Sequence, residues 1–139
     1  RANCMVKLIV GLKGSGKTKS LIQLANTAVD TSNGTVVCLE KGTKLMHEIK
    51  YQARLVNTDE YGVSDGEMLF GFVAGIIASD HDAKDIFIDH ALKICQNDLK
   101  QFEEFVLKTV KLAEQHDVRV IMTGSVEKEA LPETISDFA

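Results

Sequence analysis

Residues 11–18 read GLKGSGKT, and they directly follow the apolar run MVKLIV at residues 5–10. An apolar run of this length predicts a strand, and the stretch after it, KTKSLIQLANTAV, has apolar residues at helical spacing. Glycines between the two allow tight backbone curvature, so successive main-chain N–H groups can point at one anion. The start of a helix adds its free N–H groups and the positive end of its dipole. The stretch therefore predicts a strand–loop–helix unit that binds phosphate.

The spacing Gly11-x-x-x-x-Gly16-Lys17-Thr18 is the complete phosphate-loop (Walker A) pattern, in the context that the pattern requires. Lys17 can supply a cation to the β and γ phosphates of a nucleotide, and the hydroxyl of Thr18 can ligate Mg²⁺. The alternative interpretation is a glycine-rich turn with a solvated lysine. We expect the whole loop to contact the nucleotide: Gly11, Leu12, Lys13, Gly14, Ser15, Gly16, Lys17, Thr18 and Lys19.

Short apolar runs alternate with stretches of helical spacing along the rest of the chain. A long amphipathic helix is predicted from Asn97 or Asp98. Strands are predicted at residues 5–10, 35–40, 53–57, 85–89 and 118–123. This order predicts an α/β fold, a three-layer α/β/α sandwich whose mainly parallel sheet is covered on both faces.

A second helix is predicted over the apolar stretch MLFGFVAGIIA, because Ser64 and Glu67 before it have the spacing of a capping box. The stretch is so apolar that we expect an interior helix, in which Gly71 and Gly75 allow a close approach to the sheet. A partner-binding surface is the alternative interpretation of the same stretch.

The composition indicates one soluble domain: 139 residues, 45% apolar and 26% charged. Residues 1–4 are interpreted as a remnant outside the domain, which leaves residues 5–139 as a single nucleotide-binding unit. Three isolated cysteines without C-x-x-C spacing favour reduced thiols in a cytoplasmic protein over a zinc site or disulfides. The net charge of −4, without basic clusters, does not indicate nucleic-acid binding. No apolar run is long enough to span a membrane.

Asp89 ends the predicted strand DIFID, where a parallel sheet binds its ligands. A phosphate-loop protein needs such a carboxylate to hold Mg²⁺. We therefore expect Thr18 and Asp89 to form the metal site. The alternative is that Asp89 only caps a turn.

With these two features the chain resembles the P-loop NTPase superfamily, and the order of its elements resembles the RecA-like ATPase branch. The resemblance implies Mg²⁺-dependent ATP hydrolysis, with Lys17 stabilising charge and a carboxylate near the end of the second strand orienting the attacking water. Glu40 is the candidate for that carboxylate. Many relatives have a glutamate directly after the metal aspartate, whereas here that position is His90. Similar proteins sense the γ-phosphate with a polar residue at the end of the last strand, a position that Thr123 or Ser125 matches.

The chain is also similar to small bacterial P-loop proteins labelled as twitching-motility-type ATPases. The similarity covers MVKLIVGLKGSGKTKSL, VVCLEKG, EYG and GFVAGIIASDHDAKDIFIDH. Hexameric motility ATPases are far larger, so the label implies little about the biological process.

Three functions are compatible with these patterns. The absence of an N/T-K-x-D tetrapeptide favours ATP over GTP, and the leading hypothesis is a slow or partner-stimulated ATPase. A small-molecule kinase is the second, although Arg1, Arg54 and Arg119 are its only arginines and kinases surround the transferred phosphate with several. An arginine finger would therefore come from a neighbouring subunit or a protein partner. The third is a non-catalytic, ATP-gated binding module.

Overall fold

The computed structural model describes residues 4–139. Its strands are β1 (Val6–Gly11), β2 (Thr35–Glu40), β3 (Arg54–Asn57), β4 (Ala83–Asp89) and β5 (Arg119–Ser125). Its helices are α1 (Lys17–Thr31), α2 (Gly66–Ser79), α3 (Ala91–Ile94), α4 (Leu99–His116) and α5 (Glu133–Ser136). Short 3-10 turns follow β3 at Thr58–Tyr61 and β5 at Lys128–Ala130.

The five strands form one sheet in the order β1-β5-β4-β2-β3, and every paired strand runs parallel to its neighbour. All five predicted strands are present, and the α/β class with a parallel sheet is confirmed. The carboxyl ends of the strands consequently meet at one edge of the sheet. β1, which leads into the phosphate loop, is separated from β4 by β5.

Side chains of the central strands alternate between two apolar layers, which is consistent with three α/β/α layers. One layer contains Cys38, Phe87 and Ile121, packed against α1 and against the connection after β2. The opposite layer contains Leu39, Ile88 and Met122, packed against α2, α4 and α5. Because both faces are covered, these strands read as continuous apolar runs.

The start of α2 differs from the prediction. Asp65 is the N-cap, and its carboxylate accepts a 2.8 Å hydrogen bond from the main-chain N–H of Met68. The predicted Ser64–Glu67 capping box is wrong, since the hydroxyl of Ser64 instead lies 3.3 Å from the sulfur of Met68. The carboxylate also interacts favourably with the positive end of the helix dipole.

The glycines of α2 do not serve a close approach to the sheet. Gly71 and Gly75 are exposed, and a Cβ built on either would meet no atom within 4 Å. The helix buries only one apolar stripe, which includes Leu69, Val73 and Ile77, so the prediction of an interior helix is wrong. Within residues 4–139, neither α2 nor any other helix is long and apolar enough to cross a membrane.

The C-terminal segment completes the second apolar layer, a role that the sequence did not reveal. Pro132 precedes α5, and Ile135 and Phe138 are buried in the core. The main-chain N–H of Leu8 donates a 2.8 Å hydrogen bond to the carbonyl of Phe138, which covers the β1 edge of the sheet.

The three cysteines are free thiols. Burial raises the pKa of the Cys38 thiol to about 12. Burial, with the charges of Asp65 and Asp98, likewise raises the pKa of Cys95 to about 12. Of the residues interpreted as a remnant, residues 1–3 lie outside the described part, and Cys4 donates from its thiol to the carbonyl of Val6 over 2.9 Å.

Candidate functional site

The loop between β1 and α1 has the open backbone that the phosphate-loop pattern predicts. Gly14 (φ 85°) and Gly16 (φ 87°) adopt left-handed conformations that other residues rarely take. A Cβ on either glycine would meet nothing within 4 Å, so the space beside this backbone is open. Gly16 caps α1 without any side-chain hydrogen bond. The first N–H groups of this 15-residue helix are therefore not occupied by a side-chain cap.

The other end of the loop folds tightly on itself. The main-chain N–H of Ser15 donates to the carbonyl of Leu12 over 3.1 Å. A Cβ at Gly11 would lie 2.6 Å from the hydroxyl oxygen of Ser15. Glycine is favoured at this first position because the Ser15 side chain packs directly over it and because other residues rarely adopt its backbone conformation (φ 156°).

Lys17 is the buried cation of the site. Only 7% of the residue is exposed, and its ammonium donates to the carbonyl of Leu12 over 2.8 Å. The hydroxyl of Ser15 is 3.5 Å away, at the limit of a hydrogen bond. Within residues 4–139 no carboxylate forms an ion pair with Lys17. An ammonium has three donors, so this buried charge retains the capacity to bind an anion.

Thr18 and Asp89 are 71 residues apart in sequence and in direct contact in the fold. The Thr18 hydroxyl lies 3.1 Å and 3.2 Å from the two carboxylate oxygens of Asp89. Thr18 is in the first turn of α1, and Asp89 is the last residue of β4. The parallel sheet therefore brings the predicted pair of metal ligands together.

Asp89 is 1% exposed and has two further neighbours. The hydroxyl of Thr123, on β5, donates to the carboxylate over 2.7 Å and accepts from the main-chain N–H of His90 over 2.7 Å. The Nε2 atom of His90 lies 3.3 Å from the other carboxylate oxygen. The sequence suggested a role for Thr123 but did not indicate that it contacts Asp89.

The spacing of Thr18 and Asp89 fits a magnesium ion. Mg²⁺ binds oxygen ligands at about 2.0–2.1 Å in octahedral geometry, so adjacent ligands are about 3 Å apart. The hydroxyl and either carboxylate oxygen could occupy adjacent positions of such an octahedron. No group of three or more His, Cys, Asp or Glu side chains in residues 4–139 could hold a metal. The protein would thus supply two ligands and leave the others to phosphate and water, as is usual for Mg²⁺.

Glu40 has structural contacts that the sequence did not reveal. Its Cα is the register partner of Asp89 across β2 and β4, and the residue is 1% exposed. One carboxylate oxygen accepts from the main-chain N–H of Lys44 over 3.1 Å, and the other from Leu45 over 3.0 Å. The carboxylate thereby anchors the loop that follows β2. Its expected role in orienting water stays a prediction.

The remaining predicted residues lie on the surface. Leu12, Lys13 and Lys19 are exposed on the loop and first turn of α1, and Ser125 is exposed at the end of β5. Leu12 and Lys13 belong to the predicted phosphate loop, Lys19 directly follows it, and Ser125 borders it as the register partner of Gly11. None of the four makes a contact with Asp89 comparable to those of Thr18 and Thr123.

Both arginines of residues 4–139 lie at the amino ends of their strands. Arg54 begins β3, and Arg119 begins β5, where its Nε is 2.7 Å from the carboxylate of Asp85. The carboxyl edge near Asp89 therefore receives no arginine from the described part of the chain.

No protein-family model matches this chain, and no curated protein is significantly similar to it in sequence. The interpretation of the site consequently depends on its geometry and on the loop pattern.

Proposed function

We propose that this protein is a cytosolic, Mg²⁺-dependent ATP-binding protein of the RecA-like P-loop class that hydrolyses ATP slowly or on stimulation by a partner. The observation that carries the proposal is the buried ammonium of Lys17, which has no carboxylate partner in residues 4–139. A buried cation without a counter-charge is unfavourable unless an anion binds it. The open backbone at Gly14 and Gly16 provides main-chain N–H groups for the same anion.

The Thr18–Asp89 pair supports a nucleotide with bound magnesium over a simple anion. Thr18 and Asp89 would hold the ion, which neutralises charge on the phosphates when it is bound. Thr123 donates to one carboxylate oxygen of Asp89 and His90 contacts the other, so the carboxylate is held beside the Thr18 hydroxyl. Lys17 would stabilise the negative charge that develops as the terminal phosphate is attacked by water.

Slow turnover is proposed because the described residues offer no free general base beside Asp89. Both carboxylate oxygens of Glu40 are engaged by the main-chain N–H groups of Lys44 and Leu45. Many P-loop ATPases have a glutamate directly after the metal aspartate, whereas here this position is His90, whose ring contacts Asp89. An arginine supplied by a partner typically contributes about 10³–10⁵ in rate, so an isolated subunit should be far below its stimulated rate.

The experiment is calorimetric titration of ATP with and without Mg²⁺, followed by measurement of phosphate release. The intact chain is compared with Lys17→Ala and with the control Lys111→Ala, which removes an exposed charge on α4. We expect Lys17→Ala to lose binding and Lys111→Ala to retain it. Nucleotide binding that is the same in all three proteins would overturn the proposal.

Turnover separates the ATPase from the non-catalytic module. ATP at a free concentration of 100 times its dissociation constant should stabilise the fold by about 2.7 kcal/mol, whether or not it is hydrolysed. Phosphate release that depends on Lys17 indicates the ATPase, whereas binding without release indicates the ATP-gated module. A phosphorylated product that requires an added acceptor would indicate the kinase.

A further inference from the structure

A cavity of about 340 Å³ opens at the carboxyl edge of the sheet, the edge at which Asp89 lies. Three connections line it. Lys41 directly follows β2, Asp59 and Ser64 follow β3, and Lys93 is in α3 after β4. Glu40, which precedes Lys41, is the register partner of Asp89. The cavity therefore lies at the same edge as Asp89, towards β2 and β3, and its residues Val63 and Ile94 belong to the apolar layer across the sheet from α1.

The charge of this cavity favours an anion. Lys93 is exposed and forms no ion pair with a residue of the described chain, 4–139. Lys41 is paired with Asp59 over 2.8 Å, which leaves one net positive charge in the lining. Lysine side chains carry donors and no acceptor, so they can satisfy an anion but cannot hold a metal ion.

A neutral donor is present in the same lining. The hydroxyl of Ser64 is directed at the sulfur of Met68, which is a weak acceptor and is readily replaced by a stronger one. Gly62 has a left-handed backbone (φ 70°), and a Cβ there would meet no atom within 4 Å. The N–H of Gly62 already donates to the carbonyl of Asp59 over 3.4 Å, so this position contributes open space to the cavity and no free donor.

We propose that the cavity binds the phosphate group of a small phosphorylated molecule beside the nucleotide. The ammonium of Lys93 and the hydroxyl of Ser64 match the oxygens of a phosphate, for which lysine acts as a point charge, and Lys41 adds a second ammonium that it shares with Asp59. The volume is at the lower end of the range for small-molecule sites, so it suits a small compound. The proposal rests on the proposed function only in placing this ligand next to a nucleotide, and it names the class of that second ligand.

The test is a titration with inorganic phosphate, monitored by amide chemical shifts in two-dimensional NMR. It is made in the Lys17→Ala variant, so that the phosphate loop does not compete for the probe. We expect saturable shifts at Gly62, Ser64 and Ile94. Replacing Lys93 by Gln should weaken this binding about tenfold or more, and Lys41→Gln, on a different connection, should also weaken it. Lys100→Gln, which changes an exposed lysine outside the cavity, should not.

Titrations with two further ligands test whether the site recognises a phosphate group. Glycerol phosphate should bind at the same amides at least as tightly as inorganic phosphate, and acetate should bind more weakly than either. Absence of saturable shifts, equal binding by Lys93→Gln, or binding of inorganic phosphate without glycerol phosphate would each overturn the proposal. Because the titration does not require the loop lysine, its outcome is independent of whether ATP binds the intact chain.

Discussion

Thr123 donates a 2.7 Å hydrogen bond to Asp89 and accepts one of equal length from the main-chain N–H of His90. A hydroxyl has a single proton, so accepting from His90 directs that proton at the carboxylate. Because β5 lies between β1 and β4, Thr123 projects from the strand that separates the phosphate loop from Asp89. Thr123 is therefore a positioning residue for the proposed metal ligand.

Thr123→Val should remove both hydrogen bonds while keeping the shape of the side chain. The buried Asp89 carboxylate and the partly buried His90 N–H would each lose a partner, and we expect a loss of about 1–3 kcal/mol in the free energy of unfolding. The Mg²⁺-dependent part of ATP affinity should fall, whereas Thr123→Ser should retain it. Urea unfolding and calorimetry with and without Mg²⁺ measure the two effects. An unchanged magnesium dependence in Thr123→Val would contradict the positioning role.

Variants of Glu40 can distinguish a structural role, in which its carboxylate holds the loop after β2, from a catalytic role, in which it orients the attacking water. Its carboxylate accepts from two loop amides, so Glu40→Ala should leave the buried N–H of Leu45 and the partly buried N–H of Lys44 without this acceptor and destabilise the fold by about 1–3 kcal/mol. Glu40→Gln keeps one acceptor oxygen and should cost about half as much. Urea unfolding and the rate of phosphate release are measured for both variants. Unchanged stability with abolished release would instead support the water-orienting role.

The parts of the fold that sequence predicted are those set by local patterns. The strand Val6–Gly11, the glycine-rich turn after it and the helix Lys17–Thr31 follow from neighbouring residues, and the position of Asp89 follows from its place at a strand end. The contacts of Glu40 with the loop after β2 could not be predicted, because a strand-end glutamate has no local signal for the amides that it will accept. The same holds for Phe138, whose packing against β1 joins the two ends of the described chain.

The prediction that α2 is an interior helix is wrong for a different reason. Its residues are nearly all apolar, so composition gave no sign of which face would be covered. Only tertiary packing places Gly71 and Gly75 on the exposed side. The alternative interpretation, a surface available to a partner, is compatible with that exposure but is not required by it.

Gly71→Ala and Gly75→Ala should therefore stabilise the protein. A methyl group at either position meets no atom within 4 Å, and alanine favours a helix over glycine by about 0.5–1 kcal/mol. Urea unfolding of each variant measures the gain.

Gly16→Ala serves as the opposite case. Its backbone is left-handed (φ 87°), so the substitution should cost about 1–2 kcal/mol although the space is equally open. Destabilisation by Gly71→Ala would show that α2 is covered where the structure has it exposed.

The buried thiols predict how stability depends on alkaline pH. Burial raises the pKa of Cys38 from 9.0 to about 12, so the folded state keeps the proton that the unfolded state loses above pH 9. The contribution of this thiol to the free energy of unfolding is therefore constant below pH 9. It falls as the pH rises from 9 towards 12, by up to about 1.4 kcal/mol per pH unit. Urea unfolding at about pH 8 and pH 10 should show a smaller decline for Cys38→Ala than for the intact chain. Parallel declines in the two proteins would show that the Cys38 thiol is not protected by the fold.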